Sequence, residues 1–273
     1  MTDHRPAWVP SDVDMERPSA ARMYDYYLGG SHNLPADQEL AEETIRAWPD
    51  VRHLAHANRA FLRRAVTFLA GAGVDQFLDL GSGIPTRDSA HQVATRVNPA
   101  ARTVYVDVDP VTVGHGRALL SDVPQADVVE ADLRSPETVL GLPEVRGFLD
   151  LDRPVAVLML AVLPFVAEAD HPAEIVAGYR EGTAPGSHLA ISHGTADYRP
   201  AQIRKVEDVY NQSSNSIALR SRRRLQELLE GYELVTPGLV DMIHWRPDGD
   251  GRADPLGGDV ARYSMLAAVG RHG

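Results

Sequence analysis

From residue 74 onward the chain alternates short apolar runs with helical stretches, and this alternation restricts the possible folds more than any other feature. Residues 76–80 (QFLDL), 103–107 (TVYVD), 126–130 (ADVVE), 154–160 (PVAVLML) and 187–192 (SHLAIS) read as strands, separated by segments of helical pattern. The run PVAVLML has no polar member, as expected of a strand covered on both faces. Repeated strand–helix–strand units pack as a parallel, right-handed, doubly wound α/β sheet. The last third differs. Helices are expected over 199–212 and 221–231, strands over 232–235 and 239–245, a Gly/Pro/Asp-rich loop over 247–259 and a closing strand over 263–269. That order suits a late hairpin with an antiparallel member.

The first 73 residues have another texture. Residues 1–17 read as a loose arm. Ala20, Met23, Tyr24, Tyr27 and Leu28 then recur at helical spacing up to the Gly29-Gly30 stop. A second helix is expected over 37–48 and a third over 51–70, with Leu54, Phe61, Leu62, Ala65 and Phe68 on one stripe. The chain therefore divides into an arm and helical cap (1–73) and a nucleotide-binding-type α/β domain (74–273).

The chemistry concentrates at strand ends, where doubly wound sheets bind their ligands. FLDLGSGIPT (77–86) closes the first strand with Gly81 and Gly83, which let a ligand approach the backbone. A tight turn into the next helix would use the same glycines. A dinucleotide fingerprint wants a third glycine where Thr86 stands. Asp79, just before the loop, would repel a pyrophosphate but attract the ammonium and sulfonium of S-adenosyl-L-methionine. Asp107 ends the second strand, where a carboxylate can take both ribose hydroxyls or cap a helix; Asp109 before Pro110 suits the cap better. Asp132, after the third strand, is placed to accept from an adenine amino group or to serve a turn. Three carboxylates after three successive strands point to a nucleoside ligand.

The order DLGSGIPT, VYVDVDP, VEADLRSP, LPFV and PGSHLAIS resembles the class I methyltransferases. RPSAARMYDYYLGGSHNLPAD, HANRAFLRRAV and GYELVTPGLVDMIHWRPD extend the resemblance, over nearly the whole chain, to one bacterial S-adenosylmethionine methyltransferase family formerly catalogued as a domain of unknown function. It implies a seven-stranded sheet with a reversed final strand and a helical N-terminal cap. Carried over by position, it puts Asp79, Gly81, Ser82 and Gly83 at the methionine end, Asp107 on the ribose, and Asp132 with Leu133 near the adenine.

Composition narrows the partners. The net charge of −11 repels phosphate backbones, so no nucleic-acid partner is expected and the methyl acceptor reads as a small molecule. The run at Arg220, Arg222, Arg223 and Arg224 lacks interleaved aromatics and reads as a solvated helix face, with Arg223 pairing Glu227. Cysteine is absent, no apolar run has the length of a membrane span, and the polar first twenty residues show no secretory signal. A cytoplasmic protein is expected. Lys205 is the only lysine among abundant arginines, which suggests a GC-rich bacterial genome.

Methyl transfer needs a base only if the nucleophile arrives protonated. The available groups are Tyr24 and His32 in the N-terminal segment and His193 after the fifth strand, each with an ordinary structural role as its alternative. No metal motif occurs. The N-terminal cluster from Arg22 to Asn33 is either an amphipathic helix with a glycine stop or a lid over cofactor and acceptor. Asn58-Arg59 is either a surface pair or a carboxylate clamp. The resulting expectation is a methyltransferase; the other readings are a non-catalytic nucleoside-binding regulator and a nicotinamide-dependent oxidoreductase.

Overall fold

The computed structural model describes residues 14–86, 88–211, 216–249 and 254–273, so most of the expected N-terminal arm lies outside the described residues. The chain opens with helices α1 (Ala20–Tyr27), α2 (Pro35–Ala47) and α3 (Val51–Gly71). There follow β1 (Gln76–Leu80), α4 (Ala90–Val97), β2 (Arg102–Asp107), α5 (Pro110–Leu120) and β3 (Ala126–Glu130). Next come α6 (Pro136–Gly141), α7 (Pro143–Phe148), β4 (Ala156–Leu160), α8 (Pro172–Glu181) and β5 (His188–Gly194). The last part holds α9 (Pro200–Tyr210), α10 (Arg222–Leu228), β6 (Tyr232–Leu234), β7 (Val240–Asp241), α11 (Val260–Tyr263) and β8 (Met265–His272).

The sheet runs β3-β2-β1-β4-β5-β8-β6, with the two-residue β7 also pairing β8. Strands β1 to β5 are mutually parallel and β8 runs antiparallel to β5, β6 and β7. This is the expected mostly parallel, doubly wound sheet with a reversed closing strand. The order reverses between β1 and β4, which opens a crevice at their carboxyl ends.

Strand alternation divides the core into two layers. Phe77, Tyr105, Ala156, Leu158 and Val269 face α3 and α4, together with Trp245. Leu78, Val104, Val157, Ile191 and Leu266 face the opposite layer, where Val139, Tyr179 and Leu225 pack. Asp79 shares the alternation of Phe77, so its side chain belongs to the α3 side. Helix α3 buries Val51, Ala55, Asn58, Phe61, Leu62, Ala65, Val66 and Leu69, one continuous stripe along its length. A third cluster joins Met23, Tyr27, Ala41, Trp48 and Ala55 to Ile203, Val206 and Tyr210 of α9.

Buried ionic contacts lock α1 to the rest. Arg22 Nε donates to Asp37 Oδ2 at 2.7 Å, Nη1 to Asp109 Oδ2 at 3.2 Å and Nη2 to the Arg17 carbonyl at 2.7 Å. Asp37 also accepts from the backbone N–H of Ser19 and Leu34, while Asp109 caps α5 through the Val111 N–H. Asp109 thus takes the capping role that Asp107 could have filled.

Two segments depart from the expected pattern. Of 239–245 only Val240–Asp241 extends against β8; Met242–His244 then closes into a 3-10 turn. The reason is Trp245, which is fully buried, with its ring edge-on to Phe61 at 5.3 Å. Arg64 satisfies the turn by donating to the carbonyls of Met242 and Trp245 at 2.9 Å each. The arginine run is not a single solvated face either. Arg223 is exposed and pairs Glu227 as expected, but Arg220 precedes the Ser221 cap of α10 and is buried. Arg220 donates to the carbonyls of Leu163 and Val166 and to Glu168.

Candidate active site

One cavity of about 500 Å³ lies over the carboxyl ends of β1 to β3, within the size range of small-molecule sites. Tyr24, Asp79, Gly81, Ser82, Gly83, Asp107, Asp132 and Leu133 all line it. His32 and His193 do not.

The glycine loop forms because the N–H groups of Gly81 and Ser82 both donate to the Val106 carbonyl, at 2.8 and 3.2 Å, which turns the chain at the end of β1. Gly81 has φ +63°, and a Cβ there would overlap the Val162 side chain. Gly83 has φ +61° with nothing within 4 Å of its missing Cβ, so bare backbone faces the cavity. Gly81→Ala should therefore combine left-handed strain of about 1–3 kcal/mol with displacement of Val162. The expected result is S-adenosylhomocysteine binding weakened about tenfold or more, measured by titration calorimetry, and unchanged affinity would show that the loop tolerates a Cβ.

Asp107 is buried at the end of β2. Its Oδ2 accepts the Gly83 N–H at 2.8 Å and its Oδ1 the Asp109 N–H at 3.0 Å. Removal from water pushes its carboxyl up to about 6 despite these bonds. Asp79 is pushed up to about 7, chiefly by burial; the Arg59 guanidinium draws it back and Asp107 adds to the rise. No hydrogen bond reaches the Asp79 carboxylate among the described residues. Arg59 also lines the cavity, its guanidinium 6.0 Å from the Tyr24 ring centre, and makes no ion pair or hydrogen bond among the described residues. A carboxylate and a guanidinium thus share one cavity wall without being spent on each other.

At the far end Asp132 is gripped by Arg134, whose Nε lies 2.9 Å and Nη2 2.6 Å from Oδ2. The pairing holds Asp132 below the usual carboxylate range. Arg134 also reaches Asp170 at 3.4 Å. The Leu133 carbonyl accepts the Tyr179 hydroxyl at 2.9 Å.

The three possible bases occupy different surroundings. The Tyr24 hydroxyl donates to the Ala55 carbonyl and accepts from Asn58 Nδ2, both at 3.0 Å. Asn58 Oδ1 in turn accepts from Ser192 Oγ at 2.6 Å. Burial raises the Tyr24 phenol further. His193 is completely buried, which pushes it down to about 3. Arg220 Nη1, 2.9 Å from Nε2, can only donate, so Nδ1 carries the hydrogen and donates to the Gly194 carbonyl at 2.6 Å. The His32 N–H donates to Asp25 Oδ2, and the His32 ring packs against His115 with centroids 4.0 Å apart and planes tilted by 40°.

Sequence reasoning did not anticipate the Arg134–Asp132 grip, the Asn58–Ser192 link or the buried Arg220. Only Arg220 had a local signal: Ser221 interrupts the arginine run as a helix cap, which separates it from the three that follow. Among the described residues no three His, Cys, Asp or Glu groups gather to hold a metal ion.

A doubly wound sheet with a reversed last strand, a glycine loop after β1 and carboxylates after β1, β2 and β3 defines the Rossmann-like, class I type of methyltransferase. A family model described as S-adenosyl methyltransferase matches residues 6–272, and the chain belongs to that family. A Thermobifida fusca YX protein solved as a candidate methyltransferase is 38% identical, with 98% of this chain and 99% of that chain covered and a TM-score of 0.90. A DUF574 family protein from Streptomyces avermitilis MA-4680 is 39% identical over 95% of this chain and 99% of that one, also with a TM-score of 0.90. No curated protein sequence matches. The enzyme is thus an S-adenosyl-L-methionine-dependent methyltransferase rather than a nicotinamide-dependent oxidoreductase.

Proposed function

We propose that the enzyme methylates a small molecule held with the cofactor inside the 500 Å³ cavity. The observation that carries this reading is the lining itself: α1, α9 and residues 160–167 and 216–219 face the strand ends across the space and α3 flanks it, leaving a half-open cleft of molecular size rather than an extended groove for a polymer. When bound, S-adenosyl-L-methionine supplies a methyl group on a positive sulfur, ready for a nucleophile.

The donor set fits that cofactor. Asp79 faces its ammonium and Arg59 its carboxylate, the two opposite charges of an amino acid. The bare backbone from Gly81 through Ser82 to Gly83 follows the methionine end, Asp107 accepts from the ribose hydroxyls, and Asp132 with Leu133 borders the adenine. Within the N-terminal unit 1–73, helices α1 to α3 act as the cap of the catalytic domain 74–273, with α1 as one wall. Of the three possible bases only Tyr24 reaches the chamber, and its hydroxyl is already committed on both sides. His193 is neutral at pH 7 and orients Arg220. Catalysis then rests on placement of the acceptor and exclusion of water.

The raised carboxyls set a pH dependence. Asp79 and Asp107 keep protons in the folded protein where the unfolded chain has lost them, between about pH 4 and pH 7. The ligand-free protein should therefore lose stability as pH rises through that window. Affinity for the ammonium-bearing S-adenosylhomocysteine should move oppositely, rising about tenfold from pH 5.5 to 8. Calorimetric titration checks this, and a flat profile would mean that the two carboxyls are already ionised at pH 5.5 or do not meet the ligand.

Methyl-labelled S-adenosylmethionine incubated with the enzyme and a size-fractionated bacterial lysate tests the acceptor. Label in the fraction below about 1 kDa supports the reading, whereas label in RNA or protein overturns it. The expectation of a bacterial, cytoplasmic enzyme without a nucleic-acid partner belongs to the same proposal; among the described residues no helix is long and apolar enough to cross a membrane.

A further inference from the structure

The ionised side chains on the cavity lining are not evenly spread. Among the described residues all but one lie on one side, from Asp79 past Asp107 to Arg134 and Asp170; the exception is Arg59, whose guanidinium is 6.0 Å from the Tyr24 ring of α1. Among the described residues the opposite wall, from α1, the end of α2, α9 and residues 216–219, contributes none of its own. It presents Tyr27, Trp48, Val206, Tyr210 and Ile217, and Phe165 joins it with its ring 5.9 Å from that of Tyr210. The tyrosine hydroxyls on that wall already have partners: those of Tyr27 and Tyr210 lie 3.4 Å apart, and that of Tyr24 is bonded to the Ala55 carbonyl and the Asn58 side chain. Among the described residues no lysine or histidine lines the chamber.

From this distribution we infer that the methyl acceptor is an uncharged molecule carrying an aromatic ring, seated against Tyr27, Phe165 and Tyr210. The inference rests on the small-molecule reading above. Among the described residues an ammonium would find no carboxylate on this wall, and a phosphate or carboxylate would find no cation besides Arg59, which the cofactor's own carboxylate takes. Burying such an ion unpaired is prohibitive beside the apolar alternative. Aromatic walls add an edge-to-face or offset-stacked contribution to simple burial, which an aliphatic guest of equal size does not gain. The chamber is also shared with the cofactor, so it suits one or two fused rings rather than a long chain.

Three isosteric probes test the inference on the protein saturated with S-adenosylhomocysteine: 2-naphthol, naphthalene-2-carboxylate and 2-naphthylmethylammonium, titrated by calorimetry at pH 7. The expected result is that 2-naphthol binds at least tenfold more tightly than either ion. Phe165→Ala should weaken 2-naphthol at least fivefold and Phe165→Leu, which keeps bulk without the ring, at least twofold. Affinity for S-adenosylhomocysteine should change less than twofold in both variants, which also shows that they are folded. Equal or tighter binding of either ion, no binding of 2-naphthol, or an unchanged 2-naphthol affinity in both variants would overturn the inference. Methyl label in RNA or protein in the lysate experiment would instead sink the small-molecule reading beneath it.

Discussion

Arg22→Met should lower the unfolding midpoint by about 10 °C. Arg22 has a 3% exposed side chain and bridges Asp37, which is fully buried, to Asp109 at the start of α5. Methionine keeps much of the bulk but removes the charge and every donor. Asp37 would then be a buried carboxylate held only by the backbone N–H groups of Ser19 and Leu34. Breaking a buried pair from one side costs about 3–5 kcal/mol, because the remaining charge is uncompensated. For a chain of this size each kcal/mol moves the midpoint by about 2–4 °C. The exposed pair Arg46–Glu43 provides the contrast, and Arg46→Met should shift the midpoint by no more than about 1–2 °C. Differential scanning fluorimetry of both variants decides the matter. Similar small shifts in the two would mean that α1 is held by its apolar face alone.

Asp107→Ala should weaken S-adenosylhomocysteine binding about a hundredfold or more. Asp107 is desolvated and accepts from the backbone N–H groups of Gly83 and Asp109, one on each oxygen, with that of Val108 also acting on it; a carboxylate has about four acceptor sites, so capacity remains for a hydroxyl donor. A hydrogen bond to a charged acceptor contributes about 1.5–3 kcal/mol, and the upper end of that range accounts for the expected loss. The unfolding midpoint should fall less than in Arg22→Met, since the carboxylate is itself unfavourably buried in the free protein. Asp107→Asn keeps an oxygen for one N–H and should lie between alanine and the parent. Calorimetric titration of both variants reads the effect, and parental affinity in Asp107→Ala would remove it from the ribose site.

Much of this molecule was legible in one dimension. Strands such as QFLDL and PVAVLML announce themselves because a central parallel strand must be apolar on both faces, and their alternation with helices leaves few topologies. The glycine loop and the strand-end acids Asp79, Asp107 and Asp132 were equally visible, since a parallel sheet places successive strand ends side by side whatever the loops do. Those local rules lead from residue order to the β1–β3 rim of the cavity.

Contacts across long sequence separations were not legible. Arg22 and Asp109 are 87 residues apart, Asn58 and Ser192 are 134 apart, and Trp245 ends a strand early because its ring belongs beneath α3. Arg59 in sequence is one arginine of a helix with several. Only the docking of α3 over the sheet brings it to the same chamber as Asp79, on the face that strand alternation assigns to that side chain. Likewise, no single segment marks Phe165 and Tyr210 as facing rings. Periodicity determines which face of an element is apolar; which face it meets, and whether a charge there finds a partner or waits for a ligand, is settled by packing between distant parts of the chain.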